Sequence, residues 1–442
     1  MKLIMPSEVT YIIEVLEKAG YEAYAVGGCV RDSILNRQPD DWDITTSAKP
    51  EAIKQLFERT IDTGIAHGTV TVMKNHIGYE VTTYRIDGEY EDGRHPKEVT
   101  FTSDLLEDLK RRDFTINAMA YNERVGLVDA FGGREDIERK KIRCVGDARS
   151  RFSEDALRMM RAVRFAAQLG YEIEEETRKA IKELSPNLEK ISGERIQTEL
   201  VKLLTSTHPE QFRDCYELGL TAVFFPEFDV AMNTSQNNPH HIYTVGEHIL
   251  HSLNQVKEDK VLRLSMLLHD IGKPSVLTKD EKGIDHFYNH HVLGEAMAKE
   301  ILKRLRFDND TINQVKKLVL CHDDEISCKP GKLRKYIAAI GPELFEKLLM
   351  VKAADAAAQS DYKREEKKQH LDDLWQGYKE IIEAKDCLSL KQLAVTGKDL
   401  LEAGRKPGKS LGEELKLLLE HVLDYPEDNQ KEILLNLIKE LK

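Results

Sequence analysis

Hydrophobic positions along the chain repeat with two periods. Val9, Ile12, Ile13 and Leu16 recur every three to four residues, which predicts a helix capped by Ser7 and stopped at Gly20. Ala23–Val26 is a short apolar run entering Gly27-Gly28 and reads as a buried strand. Thr69–Met73 and Tyr79–Tyr84, rich in β-branched and aromatic residues, read as further strands. From Asp147 onward nearly every segment has a helical period, so a boundary falls near residues 140–150. The polar stretch Asn233–His241, with its proline, marks another, and a charged helical tail runs on from about Asp361. The expected division is 1–140, 141–232, 233–362 and 363–442. No internal repeat is present.

One helical segment mixes both kinds of residue. Ser153 is its expected cap, with Glu154 and Asp155 at the positive end of the helix dipole. Met159, Met160, Ala162, Val163, Ala166 and Ala167 gather on one side, and Arg158, Arg161 and Arg164 on the opposite arc. On pattern alone those arginines form a solvated face.

Composition narrows the class. Of 442 residues, 41% are hydrophobic and 32% charged, which excludes a wholly disordered or collagen-like chain. No run approaches the roughly 18 apolar residues of a membrane span, and no secretion signal is visible, so a cytoplasmic protein is expected. Cys29, Cys144, Cys215, Cys321, Cys328 and Cys387 lie scattered, as reduced thiols do. The net charge is −12, yet Lys110–Arg164 carries fourteen basic against nine acidic residues. That basic middle is either a seat for a polyanion or a chance cluster on solvated helices.

The first candidate chemistry follows the first strand. Gly27-Gly28 can let backbone N–H groups approach phosphate at a helix start, with Arg31 as a clamp, or be merely a tight turn. Asp41 and Asp43, two apart in an extended segment, point to one side and offer two carboxylates to hard Mg²⁺ ions; a polar Asp-rich turn is the alternative. The order strand, Gly-Gly turn, helix, Asp-x-Asp resembles the palm of the polymerase-β nucleotidyltransferase superfamily. The segments 111–118 (RRDFTINA), 129–133 (DAFGG), 154–158 (EDALR) and 193–200 (GERIQTEL) resemble the later motifs of class II tRNA nucleotidyltransferases and bacterial poly(A) polymerases. The resemblance runs in unbroken order from Ala23 to Leu204.

It implies an α+β head followed by an all-α neck, body and tail, and addition of CCA to tRNA 3′ ends from CTP and ATP. Gly28 and Arg31 would bind triphosphate, and Asp41 and Asp43 the Mg²⁺. Glu80 is the candidate third carboxylate, a strand-edge glutamate being the other reading. Arg112, Asp113 and Asn117 would contact the nucleotide. Asp155 and Arg158 would hydrogen-bond the base edge, a carboxylate acceptor and a planar donor fork imitating a pairing base, with support from Arg161 and Arg164. The polar segment Tyr84–Pro96, with Arg85, Asp87 and Arg94, resembles the flexible loop used in the switch from CTP to ATP. Its full length favours CCA addition over CC-only addition; A-only addition and poly(A) synthesis remain open, although the acidic tail lacks the basic extension usual in the poly(A) polymerases.

Histidines set a second division: nine of fifteen lie between His240 and His322. A His-Asp pair such as His269-Asp270, at the end of an apolar stretch, is costly to bury unless paired or bound to metal. The order His248, His269-Asp270, His290-His291, His322 and Asp355 resembles an HD metal-dependent phosphohydrolase domain. That resemblance implies a divalent metal on His248, His269, Asp270 and Asp355, with His290, His291 and His322 on phosphate or a second metal. Such mixed ligands suit Mn²⁺, Fe²⁺, Ni²⁺, Co²⁺ or Zn²⁺. A rival reading makes the chain chiefly a hydrolase whose head only binds RNA. The sequence leaves the oligomeric state open.

Overall fold

A computed structural model describes residues 2–88 and 99–440. The chain divides into two compact units, residues 1–226 and 227–442.

The first unit opens with α1 (Ser7–Lys18), β1 (Ala23–Val26), α2 (Gly28–Ile34), β2 (Asp43–Thr46), α3 (Pro50–Leu56), β3 (Thr60–Gly64), β4 (Thr69–Lys74) and β5 (Ile77–Thr83). There follow β6 (Arg85–Asp87), β7 (Val99–Phe101), α4 (Leu105–Lys110), β8 (Ala120–Asn122), β9 (Gly126–Val128) and α5 (Gly133–Glu138). Seven strands form one sheet in the order β3-β4-β5-β2-β1-β8-β9. Only β2 and β5 run parallel within it. Val9, Ile12, Ile13 and Leu16 of α1 are buried, as their spacing predicts, each worth roughly 2 kcal/mol of removed apolar surface. Ser7 does not cap that helix. Pro6 is the cap residue and Ser7 the first helical one, its hydroxyl turned to the Glu8 carboxylate at 2.9 Å.

The segment expected as a flexible loop begins otherwise. Tyr84 is fully buried, and Arg85–Asp87 pairs with Val99–Phe101 as a two-stranded ribbon. Arg94 lies outside the described residues.

The neck consists of β10 (Lys141–Ile142), α6 (Ala148–Glu154), α7 (Leu157–Leu169), β11 (Glu172–Ile173), α8 (Glu175–Leu184), α9 (Gly193–Leu204), α10 (Phe212–Glu217) and α11 (Thr221–Phe224). It is not wholly helical, because β10 and β11 pair in parallel. Ser153 is also not a cap but sits in the last turn of α6. The helix breaks at Asp155, which is extended (φ −142°, ψ 104°) and accepts the Leu157 N–H at 3.0 Å. A short acceptor side chain competes with the backbone in this way and starts a new helix. The arginine arc of α7 is not solvated either: Arg158 and Arg164 are 9% and 6% exposed.

The second unit contains α12 (Pro226–Met232), α13 (Val245–Leu253), α14 (Lys260–Leu268), the ribbon β12 (Thr278–Lys279) and β13 (Asp285–His286), α15 (His290–Arg304), α16 (Asn309–Cys321), α17 (Pro330–Ile340) and α18 (Pro342–Ala358). Val261 to Leu268 of α14 are all buried, with α13, α16 and α18 packed around them. The remaining helices are α19 (Arg364–Glu383), α20 (Gly397–Glu402), α21 (Lys409–Asp424) and α22 (Lys431–Glu440). The charged tail of the sequence has an apolar core of its own, made by Val395, Leu400, Leu418, Val422, Leu434 and Ile438.

Candidate functional site

In the first unit, β2 carries Asp43 and β5 carries Glu80, and the two are direct partners in the parallel register. Asp41, Asp43 and Glu80 line one cavity of about 1170 Å³. Partial desolvation raises the Asp43 carboxyl above its usual value; Arg112 pulls it down, while Glu80 and Asp41 push it up. Asp43 and Glu80, partners in register, and Asp41 in the same cavity offer carboxylate oxygens of the kind a hard divalent cation takes.

Gly27 joins β1 to α2 at φ 84°, in the left-handed region that disfavours a side chain. A Cβ there would also meet Arg112 Nη1 at 3.0 Å. Gly28 opens α2, and Arg31 donates two hydrogen bonds to the Asp32 carboxylate (2.9 Å each) and one to Asn117 Oδ1 at 2.7 Å. Arg31 and Asn117, far apart in sequence, thus form one buried pair.

The segment Arg111–Arg112–Asp113 joins this end to the neck. Buried Asp108, bonded to Thr45 of β2 at 3.1 Å, anchors Arg111 at 2.8 Å. Burial would raise the Asp108 carboxyl, but Arg111 and Arg112 hold it below its usual range. Arg112 faces Gly27. The Arg111 carbonyl accepts from Arg158 Nη2 at 3.2 Å, and Asp113 accepts from Arg161 Nε at 2.7 Å. Burial would raise the Asp113 carboxyl too; Arg161 foremost, then Arg158, outweigh it and hold it at about 2.

The proposed base-reading pair is held from both sides. Asp155 Oδ2 lies 2.7 Å from Arg195 Nη2, and Arg158 Nη1 lies 2.6 Å from Glu154. Arg164 pairs with buried Glu199 at 2.8 Å and its guanidinium carbon lies 3.4 Å from the Phe165 ring centroid. Arg161 reaches the same glutamate at 3.9 Å. Asp108, Arg195 and Glu199 had no assigned role in the sequence reading, although Arg195 and Glu199 stand inside the quoted 193–200 motif. Arg85 donates to the His67 carbonyl at 2.5 Å from its place in β6.

The second unit gathers the histidines. His248 lies on α13, Asp355 on α18, His269 and His322 end α14 and α16, and His290 opens α15. His248 Nε2 stands 2.8 Å from Asp355 Oδ1 and 3.2 Å from His269 Nε2. Asp270 is shared. Its Oδ2 faces His248 and His269 at 3.5 and 3.4 Å, and its Oδ1 faces His290 and His322 at 3.4 and 3.6 Å. His269, His290 and His322 each direct Nδ1 at the carbonyl three residues earlier, at 2.7, 2.9 and 2.7 Å. A carbonyl only accepts, so Nδ1 carries the proton and Nε2 offers its lone pair to the centre, the second-shell arrangement of a metal-binding imidazole.

Burial raises the carboxyls of Asp270 and Asp355, but the surrounding imidazoles, and for Asp270 the Lys273 ammonium, hold both well below their usual range. His291 sits at the edge of this convergence, where it forms a further group with His290 and Asp323 whose ligand atoms lie within 4.8 Å of one another. Its Nδ1 is 4.0 Å from Asp323 Oδ2 at the cavity wall. Lys273, three residues beyond Asp270, is buried with Nζ 2.6 Å from Asp270 Oδ2 and 3.0 Å from Gln236 Oε1. Asp270, His290, His322 and Asp355 of the cluster line a cavity of about 1040 Å³.

Three family models match the chain: "Poly A polymerase head domain" over residues 23–143, "Probable RNA and SrmB- binding site of polymerase A" over 170–232, and tRNA nucleotidyltransferase domain 2 over 277–438. The CCA-adding enzyme of Enterococcus faecalis is 36% identical over 442 residues, covering 98% of this chain and 95% of that protein. The CCA-adding enzyme of Bacillus stearothermophilus, solved in complex with CTP, superposes at TM-score 0.75 with 30% identity over 99% of this chain and 98% of that one. The Thermotoga maritima CCA-adding enzyme, solved with tRNA, shares the fold at TM-score 0.59 and 21% identity, over 100% of this chain and 97% of that one. With relatives alike from end to end and a head-domain model matched over residues 23–143, the chain belongs to the CCA-adding enzyme family of nucleotidyltransferases.

Proposed function

We propose that this protein completes tRNA 3′ ends with C, C and A, drawing on CTP and ATP and working in the cytoplasm. The observation that carries the reading is the Arg111–Arg112–Asp113 segment. It lies between the carboxylates and the neck: Arg112 acts electrostatically on Asp43 and faces Gly27, while Arg111 and Asp113 are bonded to Arg158 and Arg161. On this reading residues 1–140 carry out transfer, 141–232 read the base and hold RNA, 233–362 form the HD body and 363–442 the tail. No helix among the described residues is long and apolar enough to cross a membrane.

Asp41 and Asp43, with Glu80 beside them, are the residues to hold divalent cations, Mg²⁺ by their oxygen chemistry. Such ions, when bound, neutralise phosphate charge and lower the pKa of an attacking hydroxyl. The reaction is in-line attack of the tRNA 3′-hydroxyl on the α-phosphate, with pyrophosphate leaving. The backbone at Gly28 gives close access to the phosphates, and Arg31, held by Asp32 and Asn117, presents fixed positive charge. Asp155 and Arg158 present an acceptor and a planar donor to the base edge, held by Arg195 and Glu154. Arg161 and Arg164 position that pair through Asp113 and Glu199. The segment containing Arg85, Asp87 and Arg94 serves the change from C to A.

The test is a tRNA transcript ending at its discriminator base, given Mg²⁺ with CTP and ATP singly and together, on a sequencing gel. Three added residues are expected. A stop at two makes it a CC-adding enzyme. One A added only to a tRNA already ending in CC makes it A-adding, and no addition to either defeats the transferase reading.

The divided coordination around Asp270 favours a second activity, metal-dependent phosphoester hydrolysis in the body. His248, His269, Asp270 and Asp355 would hold a transition-metal ion, and His290 and His322, with His291 nearby, would face phosphate or a second ion. Bound metal, read by elemental analysis, should vanish in Asp270→Ala while CCA addition persists; metal retained by that variant defeats the reading.

A further inference from the structure

The mouth of the body cavity carries an aromatic pair. Tyr288 is 69% exposed, and its ring lies parallel to that of His286, 4° apart in plane with centroids 5.3 Å apart. Both line the same cavity as Asp270, His290, His322 and Asp355. The β12–β13 ribbon that bears His286 is pinned at its base. Buried Asp285 accepts the Asn237 N–H at 2.7 Å, and the Asp285 N–H is given to the Asn237 carbonyl at 3.0 Å. His286 is held in turn by Asp280 at 3.3 Å. From Tyr288 the chain turns through left-handed Asn289 (φ 60°) straight into His290. The ring is therefore two residues from a member of the histidine cluster, about 7 Å along the chain.

A cavity of about 1040 Å³ is far larger than a phosphate group needs and has the size of a site for a whole small-molecule ligand. Its chemistry is graded. Asp270, His290, His322 and Lys273 in its lining are buried, Lys367 is half-buried, and Tyr288 is exposed. A flat π-face on a fixed support costs little entropy to use, and it accepts any base.

We propose that Tyr288, backed by His286, is a base platform that makes nucleotide phosphoesters, rather than small alkyl phosphates, the substrates of the body site. The proposal rests on the phosphohydrolase reading. In the reaction water adds across the P–O ester bond: phosphorus gains the water oxygen, the ribose oxygen leaves with a proton, and nothing is oxidised or reduced.

Phosphate release from adenosine 3′-monophosphate and from glycerol 2-phosphate by the full chain with Mn²⁺ tests this, with Asp270→Ala as the blank. Tyr288→Ala should lower the ratio of kcat/KM for the nucleotide to that for glycerol phosphate about 10-fold, the size expected for one lost base stack, through KM. Tyr288→Phe should restore the ratio, because it keeps the ring. An unchanged ratio in Tyr288→Ala, or an equal loss on both substrates, overturns the platform and leaves the hydrolase intact. Wild-type protein that hydrolyses neither substrate overturns both.

Discussion

Asp113→Asn removes the charge that the neck arginines converge upon, and the size of the effect follows from the structure. The carboxylate is 8% exposed, accepts the Phe114 N–H at 2.9 Å and pairs with Arg161 at 2.6 Å. Its pKa is held at about 2 against an ordinary 3.8. A depression of roughly 2 units at about 1.4 kcal/mol each makes the charged form worth about 2–3 kcal/mol to the fold. Because the folded value is the lower one, this stability is complete above the unfolded pKa. It is lost as pH falls from about 4 through about 2. The variant should therefore unfold about 2–3 kcal/mol more easily at pH 7, and more if the stranded Arg161 guanidinium finds no substitute. At pH 3 the gap to wild type should shrink to roughly half. Urea titrations followed by circular dichroism at both pH values measure it. A difference below ~1 kcal/mol at pH 7, or one that does not narrow at pH 3, would refute the reasoning.

Other substitutions address single parts. Asp41→Ala should reduce nucleotide transfer by at least about 100-fold while tRNA retention on filters stays unchanged; substantial residual transfer would remove Asp41 from the metal site. Asp155→Ala with Arg158→Ala should raise UTP and GTP misincorporation in single-nucleotide extension assays, and Arg195→Ala should do so more weakly, because Asp155 loses only its brace. Gly27→Ala should weaken CTP binding in calorimetry and lower the melting temperature, as it forces a Cβ against Arg112 at a positive φ. Val422→Ala should cost about 1–2 kcal/mol by leaving a cavity in the tail core, seen as a lower denaturation midpoint; no change would make that core dispensable.

Local signals were readable where one segment carries them. The first strand, the Gly-Gly turn and the Asp-x-Asp pair each lie within a few residues, and β1 occupies the predicted Ala23–Val26. The facing of Glu80 and Asp43 was less legible, because it depends on parallel pairing between strands separated by α3, β3 and β4. The break at Asp155 escaped periodicity, since one carboxylate capping Leu157 interrupts two helices that share a pattern. Periodicity alone makes the arginine arc a solvated face for a related cause: its counter-charges, Asp113 and Glu199, come from outside α7. In the body the histidine order showed the cluster, whereas Lys273 depended on contact with Gln236 from a loop before α13.

The small parallel pairing of Lys141–Ile142 with Glu172–Ile173 bears on how this enzyme can be cut or recombined. It staples the chain after α7 back onto the strand that leaves the head, so the region around residues 140–150 is a closed loop rather than a tether. A fragment ending there would lose β11 and Arg158, Arg161 and Arg164, which hold the Asp113 carboxyl down. Head and neck are one cooperative object, and a chimera that exchanges nucleotide preference has to carry both across the junction together.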